Sequence, residues 1–397
     1  MGPGLRFACP GRQRGGSRHL GCGVLADIQK NPWRLLLAIN AAVIVGVFIH
    51  KILLPPYVPY IHLLVDYHFG FIKRALIGAV VALCTNKVPV WLVFAISGAA
   101  WLVTLGLFLR LFQKTFGFSN KTLPLFVLIA GSPYFLKNFM HTLGHFDIYG
   151  CVFALILLLM PASSLLFVAA AALFAIILVL IHHIHLLMYV PTIITIVGIR
   201  HYLGHGITRP NIACGFAALL CVSVLFFAAQ FLGTMPIPEA DFLAYLKSRM
   251  ADPSRTSLLQ FSYIWYQPLS KEVSDTWAWL PHNALGLPVF ALLLWLHTPL
   301  WRYFADLIAA LANDMHRRLV IAALLGISLA YLIMFAMVFD YSRWMSNWAV
   351  CMFLILHAVK TLPAARETAL IPSDDKRTNV FGLVLTLIPR VGIVRPF

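Results

Sequence analysis

The chain has 397 residues, of which 61% are hydrophobic and only 11% charged, with a mean hydropathy of +0.85. An ordinary soluble domain carries about a quarter charged residues, and no soluble fold hides this much apolar surface. The formal charge of +16 does not point to nucleic acid, because the cations are spread through short loops between apolar runs instead of forming one patch. The positive-inside bias of membrane proteins accounts for them. The runs have helical length and do not alternate in polarity, which argues against a β-barrel and predicts an all-α, polytopic bundle of about ten transmembrane helices.

Residues 1–32 are rich in Gly, Arg and Pro and lack the apolar stretch of a signal peptide, so a disordered, basic, cytoplasmic N-terminus is expected. The bundle then occupies 33–362. A first span runs from Trp33 to Leu54 and ends at Pro55, Pro56 and Pro59, since proline cannot continue the hydrogen-bond ladder. The first extramembrane loop follows, with the stretch up to Cys84 expected to lie along the membrane surface. The next spans are Val90–Phe112 and Leu123–Leu136, joined by a cytoplasmic loop carrying Arg110, Lys114 and Lys121.

The 52 residues from Ile148 to Ile199 are almost wholly apolar. Either two long spans or three tight ones fit their length. Three place Arg200, Arg209, Arg302, Arg317, Arg318, Lys360, Arg366, Lys376 and Arg377 in cytoplasmic loops, whereas two leave those loops only Lys247, Arg249, Arg255, Lys271 and Arg343; the charge rule favours three. Further spans are expected at Ile212–Phe231, Leu285–Leu300, Leu319–Phe339 and Trp348–Leu362. Residues 233–284 form one larger extracytoplasmic loop, with an amphipathic stretch at Glu239–Met250 and interfacial aromatics Trp265, Tyr266, Trp277 and Trp279. A tail, 363–397, holds a weaker apolar segment. The seven cysteines form no CxxC pair or ligand cluster and read as small core residues.

On this topology the polar residues gather at one end of the bundle. In the stretch from Asp66 to Arg74, a carboxylate there can take a proton from a hydroxyl while Lys73 and Arg74 hold a phosphate; a solvated juxtamembrane loop with snorkelling cations is the structural alternative. His145 and Asp147 stand at a helix start, where helix capping explains the aspartate but not the paired histidines, His141 and His145. The His182-His183-Ile184-His185 run lacks an Asp, Glu or Cys at ligand spacing, so hydrogen-bonded histidines are expected there and no metal site is assigned; a need for a divalent ion stays open. Asp340 and Arg343 at a span end form either a structural ion pair or an anchor for an anionic head group. The span middles hold essentially no Asp, Glu, Lys or Arg, unlike those of ion-coupled carriers, and no phosphate-binding glycine loop is present, which excludes a nucleotide-driven pump within this chain.

An aspartate in the first outer loop, polar clusters on one face and about ten helices resemble the type C glycosyltransferases and the related polymerases of bacterial surface polysaccharides. The stretches Asp66–Arg74, Gly144–Asp147, His182-His183 before Pro191, and Asp340–Trp344 are also similar to D-x-G-F-x-x-R, G-[RH]-x-D, H-E and D-x-x-R-W stretches of bacterial polytopic proteins. Here the first is longer by two residues, and His183 stands where a glutamate would be expected. The resemblance implies an enzyme of the bacterial inner membrane that takes a sugar from a polyprenyl phosphate at the outer face. Asp66, Asp147 and His145 would then be catalytic, and Lys73, Arg74, His182, His183, Asp340 and Arg343 would bind substrate. A transporter or flippase of a lipid-linked substrate, and a non-catalytic subunit of an envelope assembly, are the alternatives. Partners on any of these readings are membrane lipids, with no nucleic acid.

Overall fold

The computed structural model describes residues 32–206, 208–338, 340–362 and 376–391. The expected disordered N-terminus and much of the tail lie outside them. Among the described residues the chain is all-helical and contains no strand, only a single parallel bridge between Val88 and Met250. Among these residues five helices are long and apolar enough to cross a membrane: α1 (Pro32–Ile52), α4 (Trp91–Thr115), α9 (His185–His205), α10 (Arg209–Phe231) and α15 (Asp314–Met337). The protein is therefore built for a bilayer, where helices satisfy their own backbone groups.

Between α1 and α4 lie two short helices, α2 (Tyr57–Leu64) and α3 (Leu76–Cys84). Downstream of α4 the predicted span Leu123–Leu136 is broken. Helix α5 (Leu123–Ala130) stops before Pro133, and α6 (Leu136–His141) restarts the chain after a turn in which the Ser132 hydroxyl accepts from the Tyr134 amide. The 52-residue apolar stretch does divide into three segments: α7 (Asp147–Leu159), α8 (Leu165–Ile181) and α9. Arg200, near the end of α9, donates to the carbonyls of Leu157 and Met160, and Lys114 donates to that of Leu159. These cations sit on the orphan carbonyls at the C-terminus of α7, where the helix dipole favours positive charge. Hence α7 and α9 run in the same direction and α8 returns between them, with Asp147 at the far end of α7 from Arg200.

After α10 come α11 (Glu239–Arg249), α12 (Leu269–Ala284) and α13 (Leu287–Leu296), the last two bent by 63°. The expected loop 233–284 is thus largely helical, and its second half docks on α15, where the Thr276 hydroxyl donates to the Met337 carbonyl. The predicted span Leu285–Leu300 is interrupted at His297, beyond which α14 (Thr298–Ala309) begins with Pro299 in its first turn. Helix α16 (Tyr341–Lys360) is the centre of the bundle. From Ala349 to Val359 every residue is buried, as expected of a helix that is apolar all round. Beyond the predicted end of the bundle, α17 (Lys376–Leu387) packs on α1, with Gly382 against the Trp33 ring. The buried Lys137 ammonium donates to the carbonyls of Leu385 and Thr386 at its C-terminus.

Two of the hydrophobic clusters frame the site. The large one surrounds α16. The smaller one joins α2, the 65–75 segment, α11 and residues 256–266 into a cap. Parallel backbone pairing between Val88 and residues 249–251, and the Trp265 indole donating to the Lys73 carbonyl, tie these distant stretches together. Helix α3 lies so close to α2 that a β-carbon on Gly78 would overlap the Val65 carbonyl.

Candidate active site

The seam between cap and bundle is where the polar side chains converge. Gly144, with φ +91°, makes the turn from α6 into α7, and a β-carbon there would collide with Pro59 of the cap. Its tightness brings Phe146 under His62, whose ring stacks at 4.1 Å between centroids. His145 and Asp147 flank this contact.

Arg343, on the first turn of α16, is the hub. Its Nε lies 3.3 Å from one carboxylate oxygen of Asp147 and 3.3 Å from one of Asp340, and its Nη1 is 2.9 Å from Nδ1 of His145. The guanidinium also lies over the Trp344 ring, 4.2 Å from the centroid. A guanidinium can only donate, so His145 accepts at Nδ1 and carries its proton on Nε2. Burial and the Arg343 charge hold this imidazole well below the ordinary histidine range, in its neutral form. Asn347, one turn further along α16, donates to Asp147 at 3.0 Å, and Tyr189 of α9 donates to the Asn347 amide oxygen at 2.7 Å. The Asp147 side chain is 2% exposed, against 15% for Arg343 and 25% for Asp340. Asp147 is thus the inner carboxylate beside Arg343, and Asp340 the outer, more exposed one.

Arg74 supplies a second cation. It is the one non-glycine residue with positive φ (65°) among those described. The Lys73 peptide is pinned on both sides, its N–H to the Gly233 carbonyl and its C=O to the Trp265 indole, so the chain must turn sharply to enter α3. Arg74 takes up that turn in the left-handed region, at a strain cost of about 1 kcal/mol or more. Its Nε is buried without a hydrogen-bond partner. His182 and His183 lie side by side with ring centroids 5.2 Å apart, and His182 meets Phe146 edge-on. No known protein family, curated protein or solved structure matches this chain. Function must therefore be argued from this constellation itself.

Of the residues singled out from sequence, the structure brings together His145, Asp147, Asp340 and Arg343 by direct contact. His182 adjoins them through its contact with Phe146, and His183 through His182, while Arg74 stands on the neighbouring turn of the cap and makes no ion pair with them among the described residues. Two stand apart. Asp66 pairs with Arg249 at 2.7 Å, accepts from the Tyr245 hydroxyl at 2.8 Å and caps the turn at His68, so its carboxylate is committed inside the cap. Hydrogen bonding to Asp66, after burial, pushes the Tyr245 phenol up to about 12. Lys73 donates to the Gln267 carbonyl at 3.0 Å; burial, then the adjacent Arg74 charge, lowers it to about 8. Asn347, Tyr189 and His62 belong to the site and were not anticipated. Asn347 alone had a signal, lying four residues after Arg343 on the same helical face. Among the described residues no three His, Cys, Asp or Glu side chains group to hold a metal ion.

Proposed function

We propose that the protein is a membrane transferase that takes a sugar from a polyprenyl phosphate at the outer face of the bilayer, with the shorter helices completing about ten crossings. The observation that carries this reading is that two half-buried cations, Arg343 on the first turn of α16 and Arg74 on the cap, stand at the seam where helices meet the cap. A lipid-linked donor places its phosphate at such a depth, and two guanidiniums match the charge that grows on it as the glycosidic bond breaks. The acceptor hydroxyl forms the new bond to the anomeric carbon, the carbon–oxygen bond to phosphate breaks, and the acceptor proton passes to Asp340. His145 donates its Nε2 proton as a hydrogen bond to substrate oxygen, held in that tautomer by Arg343. Asp147, Asn347 and Tyr189 position Arg343, while Asp66 and Lys73 hold the cap in register.

The breaks at Gly131–Phe135 and between α12 and α13 also suit a carrier of lipid-linked substrate, since transporters use interrupted helices. One experiment separates the two readings. Purified protein in proteoliposomes is given radiolabelled polyprenyl-phosphate sugars with an oligosaccharide acceptor. Labelled product from the wild type, lost in folded Arg74→Gln and Asp340→Asn variants, is the expected result. Movement of label across the bilayer without product, or full turnover by both variants, overturns the enzymatic reading.

A further inference from the structure

Away from the seam, helices α8, α9 and α10 enclose a groove of about 400 Å³, within the range of small-molecule sites. Ala171 and Ala172 of α8, Ile193 and Val197 of α9, and Gly215 and Leu219 of α10 form its walls, and every lining residue but Tyr202 is apolar. The Tyr202 hydroxyl is itself spent on the Asn211 carbonyl. The groove runs along α9 from Val190 to Tyr202, about 18 Å at helical rise, which is close to half of a bilayer's hydrocarbon thickness.

Its two ends differ. Towards the candidate active site, Val179, Leu186, Val190, Val222 and Phe226 pack together, and His183 lies against the Phe226 ring, so the groove does not continue into the seam. At the other end α9 winds through a π turn at Gly198–Tyr202, a distortion frequent at functional sites; His205 ends α9 and Arg209 begins α10, next to the lining residues Tyr202 and Ile212. Both of these side chains are exposed, and Arg209 makes no ion pair among the described residues. The segments bounding that mouth, 160–165 and 200–215, contain no carboxylate. A dry slot one leaflet deep with a cationic, acid-free mouth complements one kind of molecule.

We infer that this groove is a structural binding site for an anionic phospholipid of the bilayer, one acyl chain lying between α8 and α10 and the phosphate at Arg209 and His205. The closed end near Phe226 argues against the tail of a substrate bound at the seam, so this inference does not depend on the proposed reaction.

The test is native mass spectrometry of the full chain purified in mild detergent, with lipid analysis of what it retains. One phospholipid per chain, enriched in anionic species over the source membrane, is expected. Ala172→Phe and Gly215→Leu fill the slot and should release the lipid while circular dichroism stays unchanged. Arg209→Gln should keep a lipid but lower the anionic preference about fivefold. Retention unchanged in both filled variants, no lipid on the wild type, or a retained polyprenyl phosphate overturns the proposal.

Discussion

Replacing Arg343 by leucine tests the centre of the site without reference to any activity. The substitution removes the only cation touching Asp147 among the described residues, where that side chain is 2% exposed, and leaves the carboxylate with the Asn347 amide as its side-chain partner there. Stranding a buried charge costs about 3–5 kcal/mol, whereas the loss felt by the quarter-exposed Asp340 is worth at most about 1 kcal/mol. Nearly all the penalty should therefore run through Asp147. Asp147→Asn in the Arg343→Leu background removes the stranded charge, and the double variant should recover about half or more of the lost stability. Reversible unfolding in mixed micelles with increasing sodium dodecyl sulfate, followed by tryptophan fluorescence, measures all four corners of the cycle. If the two single losses simply add, Asp147 and Arg343 are not a buried pair, and the account of the hub is wrong.

Asp66→Asn and Arg249→Leu should each loosen the cap, read as faster proteolysis between residues 233 and 266, while Asp147→Asn leaves that cleavage rate unchanged. Lys73 is held at about 8 in the folded chain, below the ordinary lysine value, so between roughly 8 and 10.4 the unfolded chain holds the extra proton. Stability should rise with pH across that window, and the rise should flatten in Lys73→Met. Gly150→Ala puts a methyl group into the Tyr189 ring, so it should displace the tyrosine from Asn347 and lower the transferase rate more than it lowers the unfolding midpoint.

Hydropathy and loop charge made much of the architecture readable: the long spans fall close to their predicted positions, and the division of residues 148–199 into three follows from where the arginines lie. Helix breaks were harder to read. Gly131-Ser132-Pro133 reads in the sequence as only a weak interruption of an apolar run and His297 as none, yet both end helices, and the His297 ring meets the Ser132 hydroxyl across 165 residues. The site was legible as a set of polar span ends but not as an arrangement. Asp66, Lys73 and Arg74 look like one motif, yet the strained turn at Arg74 sends the three side chains to different partners. Arg249 meets Asp66 across 183 residues, and no local pattern announces such a pairing.

The clamp of Lys137 on the end of α17, together with the seat of Gly382 on Trp33, has a bearing on how the protein is made. Helix α1 leaves the ribosome early, whereas its neighbour α17 is synthesised more than three hundred residues later. At about 10 residues per second that interval is on the order of half a minute. For that time one flank of the first helix faces lipid or an insertion factor, and a buried lysine waits for the carbonyls that will receive it. The flank of α1 should therefore close only once α17 has been made, and a ribosome stalled before residue 376 should leave a nascent bundle open along that flank.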